Sequence, residues 1–234
     1  MEDVYIDDLV AWLAIEFELG STPLSYSTTG NLYLKNELLT DLVIPDYITK
    51  IKDYTFYRCA SITSVTIPEG VESIGMASFY NCGNLKSLEI PASVKTIGDD
   101  AFDNCKSLLS VVLFGGIDHI SRSAFARCES LRSIVIPDGV VSIDPYAFYK
   151  CTKLGEVIIP TSVTLIDEWA FSGCNTMYRV YYCGTSSQWK EISIGSMNDD
   201  LTSAPIYFYS EEKPLWDGNY WHYVDGEIEV WRTE

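Results

Sequence analysis

Residues Gly83–Cys105 read G-N-L-K-S-L-E-I-P-A-S-V-K-T-I-G-D-D-A-F-D-N-C, and this stretch lands on itself repeatedly when moved along the chain by 23 residues. Cysteine recurs without a slip at Cys59, Cys82, Cys105, Cys128, Cys151 and Cys174. Three residues earlier stands phenylalanine, at Phe56, Phe79, Phe102, Phe125, Phe148 and Phe171. Isoleucine holds a third slot at Ile51, Ile74, Ile97, Ile120, Ile143 and Ile166. Self-similarity at a fixed short period is the signature of a solenoid, in which each repeat contacts its neighbours along the array.

One period can be read as one rung. Leu85-x-x-Leu88-x-Ile90 alternates as a short strand should, with Leu88 and Ile90 on one face and Glu89 on the other. Proline then ends the strand at Pro45, Pro68, Pro91, Pro137 and Pro160, because it cannot donate to a ladder. A two-residue turn follows, as in Glu69-Gly70 or Asp138-Gly139, and Val94 and Ile97 lie on a second short extended piece across the rung. The closing Ala101, Phe102 and Cys105 have the spacing of one face of a single helical turn, so one is expected there. Each rung points about eight apolar groups inward and cannot hide them alone, so stacking is compulsory; each large buried side chain contributes about 1.5–3 kcal/mol.

The cysteines are expected to be reduced. Slots on adjacent turns are about 4.8 Å apart, slightly too far for a disulfide's Cβ atoms, and a ladder of buried thiols behaves as a column of small hydrophobes. No C-x-x-C pair is present to start a zinc site. Cys183 lies off the ladder, where most repeats have proline.

The pattern L-x-x-[VLI]-x-I-P-x-x-V-x-x-I-x-x-x-A-F-x-x-C resembles the BspA-like (Treponema pallidum-type) leucine-rich repeats, and the match runs from Leu39 to Tyr182. Y-Y-C-G-T-S-S-Q-W-K-E-I-S-I-G, from Tyr181, looks like the elaborated rung that often ends such arrays. The resemblance implies an α/β leucine-rich-repeat solenoid, a right-handed superhelix rich in strands with short helical turns and a parallel sheet on its concave side. It also implies a bacterial surface or secreted protein that binds other proteins or host matrix, without catalytic residues.

Three segments are expected: an N-terminal cap over residues 1–38, the solenoid over 39–182, and an elaborated rung with a capping hairpin over 183–234. Val4–Ile15 echoes Tyr181–Ile192, with Tyr5, Trp12 and Ile15 set against Tyr182, Trp189 and Ile192, so a strand and a helical turn with an inward tryptophan are expected in both. From that echo the chain is expected to begin partway through a rung, as one stretch of a longer array would. Asn219–Trp231 reads as a hairpin about an Asp225-Gly226 type I′ turn, pairing Trp221 with Val230 and Tyr223 with Ile228 on one face. The hairpin, within a cap beginning at Trp216, is expected to lid the last rung; an aromatic carbohydrate- or choline-binding element is the rival reading.

The formal net charge of −17 is concentrated at the ends: residues 1–30 hold six acids and no base, and residues 199–234 hold nine acids against Lys213 and Arg232. Such a field repels phosphate backbones and argues against nucleic acid. The acids of Met1–Asp8 do not suit a secretory signal, and no apolar run is long enough to span a membrane.

Few residues carry the marks of catalytic or metal-binding chemistry. His119 occupies a surface slot shared with Ser73, Thr96 and Ser142, and His222 falls in the hairpin. There is no P-loop, G-x-G-x-x-G or G-x-S-x-G, and no cofactor is called for. Asp99-Asp100 and Asp199-Asp200 read as solvated surface, the latter lacking the alternating ligands of a calcium loop.

Outward strand positions vary instead. One slot runs Thr66, Glu89, Val112, Val135, Ile158, Tyr181, and beside it runs Thr63, Lys86, Leu109, Arg132, Gly155, Tyr178. Phe114-Gly115-Gly116 replaces proline and its turn in one rung. Leu109, Val112, Phe114, Val135, Ile158, Tyr178 and Tyr181 are therefore the candidate ligand-binding residues, for a protein partner or a glycan. Two explanations stay open: a binding stripe, or β-branched residues that suit strands and are covered by the C-terminal cap. The corresponding functions are a non-enzymatic binding module and a structural spacer.

Overall fold

The computed structural model describes residues 3–214 and 218–231; Trp216, where the expected terminal cap begins, lies outside them. The chain starts with β1 (Asp3–Ile6), α1 (Leu9–Ala14), a 3-10 turn (Pro23–Tyr26), β2 (Asn31–Leu34) and β3 (Glu37–Leu38). Rungs then alternate a longer strand with a two-residue one. They are β4 (Asp41–Val43) and β5 (Lys50–Ile51), β6 (Ser64–Thr66) and β7 (Ser73–Ile74), β8 (Ser87–Ile90) and β9 (Thr96–Ile97). After these come β10 (Ser110–Leu113) and β11 (His119–Ile120), β12 (Ser133–Val135) and β13 (Ser142–Ile143), β14 (Glu156–Ile159) and β15 (Leu165–Ile166). The last turns are β16 (Arg179–Tyr182), α2 (Ser186–Trp189), β17 (Ser193–Ile194), α3 (Asp199–Thr202), β18 (Ile206–Tyr209), β19 (Tyr220–Val224) and β20 (Glu227–Val230). This is a strand-rich β-solenoid with few, short helices.

The repeats stack in parallel and in register. Leu88 pairs with Val111, Val157 with Val180, and Ile74 with Ile97, each pair one period apart. Longer strands form the hydrogen-bonded groups β4-β6, β8-β10 and β12-β14-β16-β18-β19-β20, with β6 beside β8 and β10 beside β12. Two-residue strands form β5-β7-β9 and β11-β13-β15-β17 across the tube. Between them lie Leu85, Leu88, Ile90, Val94, Ile97, Ala101, Phe102 and Cys105 of the third rung, all buried, so the inward slots read from the period are the inward slots observed.

Two columns run through this core. The six phenylalanine rings stack with centroids 5.2–5.7 Å apart, the offset contact that aromatic quadrupoles favour. All six ladder cysteines are free and buried. From Cys82 to Cys174, each thiol donates to the carbonyl of the phenylalanine 26 residues earlier, at 3.1–3.4 Å. Desolvation raises their pKa values, that of Cys59 to about 11, so they stay protonated, and their burial keeps reagents from reaching them.

The segment carrying Ala, Phe and Cys faces inward as expected, but it is not a turn of α-helix. Two residues per rung adopt left-handed backbone, such as Tyr54 and Arg58, Ala77 and Asn81, or Asp100 and Asn104. Alternate N–H groups then point in different directions. Tyr57 and Cys59 donate back to Tyr54 and Phe56 within the rung, whereas Tyr54, Phe56 and Arg58 donate to Met76, Ser78 and Tyr80 in the next. A helix would direct every N–H along its own axis and leave the stack unbonded on this side. Left-handed residues cost roughly 1–2 kcal/mol each, a cost offset by a third inter-rung ladder that satisfies buried backbone.

Both ends close this ladder with side chains. At the C-terminal end no further rung offers carbonyls to Phe171 and Gly173; Asn198 Oδ1 accepts from the Phe171 N–H at 2.9 Å and Asp200 Oδ2 from the Gly173 N–H at 2.8 Å. Asn198 is itself held by donating to Asp167 and Gly195 carbonyls. At the N-terminal end Trp12, buried on α1, donates its Nε1–H to the Thr55 carbonyl at 3.0 Å. The Val4–Ile15 echo thus holds for the strand, the helix and the tryptophan, but β1 turns Val4 inward against Leu32 and leaves Tyr5 and Ile15 exposed, whereas Tyr182 and Ile192 are buried. A shift of one residue in strand facing separates the two segments.

Candidate binding surface

Each longer strand shows alternate side chains to the outside. Val112 and Val135 stand on neighbouring strands, Val135 with 52% of its surface exposed, and Leu109 is half exposed beside them. Phe114, 60% exposed, projects at the end of the same strand as Val112. These residues form an open apolar row. Val43 occupies the same outward slot on β4 and is exposed too, separated from the row by Thr66 and Glu89.

The Phe114 exception has a backbone reason. Proline in this slot has no N–H, but Phe114 donates its own to the Ile90 carbonyl at 3.1 Å, and Cys183, three periods later, likewise donates to Ile159 at 2.9 Å. The chain then turns through Gly115 and Gly116, both left-handed; a Cβ on Gly116 would sit 2.3 Å from the Ala92 carbonyl oxygen, so only glycine fits.

The row changes character toward the C-terminus. Ile158 is half-buried, and Tyr181 is 3% exposed, which removes it from the expected stripe as a surface residue. The cause is the terminal hairpin. β19 pairs in parallel with β18, so the hairpin joins the sheet instead of lidding the tube's open end, and its Trp221 face turns onto the outward side. Trp221, fully buried, packs its ring 5.6 Å from Tyr181 and donates Nε1–H to the Tyr182 carbonyl at 3.0 Å. The hairpin's own pairing is as read: Trp221 with Val230, His222 with Glu229, Tyr223 with Ile228, about left-handed Asp225 and Gly226.

Tyr178 stays half exposed because its ring lies over Gly155, where a Cβ would come 2.4 Å from Tyr178 Cε1. Arg179 sits between the Tyr178 and Tyr207 rings, 5.7 and 5.8 Å from their centroids, and pairs with Glu156 at 3.5 Å. Its Nη1 donates to the Tyr181 hydroxyl at 3.3 Å.

Between hairpin and strand face lies a cleft of about 280 Å³, walled by Val135 and Ile158 on one side and Tyr209, Trp221 and Tyr223 on the other, with Asp138 and Cys183 at its margin. Reading the sequence identified the hairpin but not this cleft, because nothing local says which hairpin face meets the sheet. Burial pushes the Cys183 thiol up to about 11, with a further push from the Asp138 charge. Burial also raises the Tyr223 pKa, and Cys183 and Asp138 add to it.

The other polar groups singled out in the sequence serve structure or sit apart. Asp200 closes the backbone ladder, and His119 pairs with Asp118 through Nδ1. Among the described residues no group of three or more His, Cys, Asp or Glu side chains is placed to hold a metal ion. No helix there is long and apolar enough to cross a membrane.

Comparison with known proteins agrees with this geometry. A family profile described as BspA type leucine rich repeat region matches six copies over residues 27–139 and 118–194. Among solved structures, a leucine rich cell surface protein from Faecalibacterium prausnitzii A2-165 is 31% identical, with TM-score 0.57 over 72% of this chain and 52% of that one. The Treponema pallidum leucine rich repeat protein is 27% identical, with TM-score 0.60 over 66% of this chain and 72% of that one. A leucine-rich repeat protein from Eubacterium ventriosum, 23% identical with TM-score 0.62 over 84% of this chain and 49% of that one, shares the fold. The chain spans about half the length of the Faecalibacterium and Eubacterium proteins. No curated protein matches the sequence. With six profile copies laid over the stacked rungs, the chain belongs to the BspA-type leucine-rich repeat family.

Proposed function

We propose that this chain is a non-enzymatic binding module of a bacterial surface protein, using the outward face of its longer strands to hold a protein partner such as a host matrix or surface protein. The observation that carries the reading is the open row of Leu109, Val112 and Phe114 on one rung continued by Val135 on the next. A spacer whose only task is to stack has no use for such a row, and contiguous apolar surface is costly to keep in water unless a partner covers it. The F. prausnitzii relative is described as a cell surface protein, which supports that location here. A glycan partner gripped by the hairpin aromatics is less favoured, because Trp221 spends its ring on Tyr181.

The test is retention of purified extracellular-matrix proteins on the immobilised chain, compared with a Val112→Lys, Phe114→Ser double variant. Both side chains point outward, so the melting temperature should be unchanged while retention of at least one matrix protein falls tenfold or more. A double variant that retains the same proteins equally well would overturn this use of the row, and a chain that retains none would leave the spacer reading in its place.

A further inference from the structure

We propose that the cleft between the terminal hairpin and the strand face is a subsite for a basic side chain, lysine or arginine, presented by a partner polypeptide. It rests on the binding-module reading only in that the ligand is a polypeptide.

Three features converge on that chemistry. The walls are apolar and aromatic: Val135 and Ile158 face Tyr209 and Tyr223, and the space of about 280 Å³ suits one long side chain. Such walls accept the alkyl stem of lysine or arginine, and ring faces attract its cationic end. The margin is acidic, since Asp138 on the turn after Pro137 lines the cleft while Arg179 and Lys213 lie on a separate groove. Burial is the larger cause of the raised pKa at both Cys183 and Tyr223, and the Asp138 charge adds to it at each, so its field reaches two groups that line the cleft. A carboxylate at the rim whose field reaches into the cleft attracts a cation there and repels an anion. The chain's net charge of −17 adds a long-range attraction for basic segments.

Cys183 supplies the assay, being the one cysteine of the seven that is not fully buried. Alkylation of the native full chain, followed by intact mass, should give a single adduct whose rate of formation reports occupancy of the cleft. The probes are an uncharged-end pentapeptide with a central lysine, the same peptide with norleucine or glutamate there, and free n-butylammonium. The lysine peptide should slow alkylation in a saturable manner, norleucine at least tenfold more weakly, and glutamate not at all. Asp138→Asn should weaken the lysine peptide tenfold or more, whereas Val43→Ser should leave it unchanged, because Val43 is exposed on β4, away from the cleft.

Equal protection by norleucine and lysine peptides would overturn the cationic preference, and absence of protection by any peptide would overturn the subsite altogether. Butylammonium protecting at the same concentration as the lysine peptide would overturn the polypeptide source in favour of a free amine. None of these results touches the matrix-retention test, so the two readings fail separately.

Discussion

A single phenylalanine shows how the rung depends on its neighbours. Phe102 lies between Phe79 and Phe125 with centroids 5.3 and 5.6 Å away, and it has no exposed surface. Phe102→Ala should cost about 3–5 kcal/mol in chemical denaturation, because stacked backbone on both sides cannot collapse into the void. A cost near zero would mean that the column does not carry packing. Asp103, on the next position, is the least expected residue in the structure. It is buried, ion-paired with Arg127, and its Oδ1 has no hydrogen-bond partner. Burial raises its pKa to about 7 despite the Arg127 charge. Because the folded state then holds a proton that the unfolded chain releases near 4, stability falls as pH rises through roughly 4 to 7. Asp103→Asn should remove that share of the fall, flattening melting temperature against pH relative to the parent; superimposable slopes would show that Asp103 ionises normally.

The elements at the C-terminal end act as a plug. α3 is only one turn long, yet its Asp200 and the preceding Asn198 supply acceptors where a further rung would supply carbonyls. Asn198→Ala should therefore cost about 1–3 kcal/mol by leaving the buried Phe171 N–H unsatisfied. Asp199→Ala should be close to neutral, since Asp199 is exposed on the surface. Equal effects of the two changes would argue that α3 contributes by packing alone. The hairpin is a second plug, placed over the side of the sheet. Trp221→Ala should cost about 3–5 kcal/mol and expose Tyr181, read as lower stability with increased tyrosine accessibility. A neutral substitution would mark the hairpin as an independent appendage.

Across the full stack, redox behaviour follows from burial. Native protein treated with a maleimide should take up one adduct at most, on Cys183, and seven after denaturation, because the six ladder thiols are sealed between rungs. Several rapid native adducts would show that the rungs open independently. Acid concentrated toward both ends keeps the solenoid's termini soluble, while the near-neutral repeats leave the strand face free to present its apolar row.

Much of this protein is determined by its sequence alone, because a fixed period makes every rung solve the same problem. The inward slots at Leu88, Ile97, Phe102 and Cys105, the free thiols, the proline-terminated strands and the Trp221–Val230 hairpin register all follow from local spacing and side-chain chemistry. Where sequence reading falls short, the deciding contacts lie between rungs or between distant segments. An i, i+1, i+4 pattern looks the same in a helix and in the left-handed turns observed; the choice between them is made by carbonyls of the next rung, 22 residues on. Tyr181 and Ile158 are ordinary outward strand residues until Trp221, far along the chain from both, folds over them. Asp103 is one more acid among many until Arg127 and the stacked turns enclose it. Periodicity specifies what each rung must bury, and only the stacked tertiary structure decides which surfaces remain open to a partner.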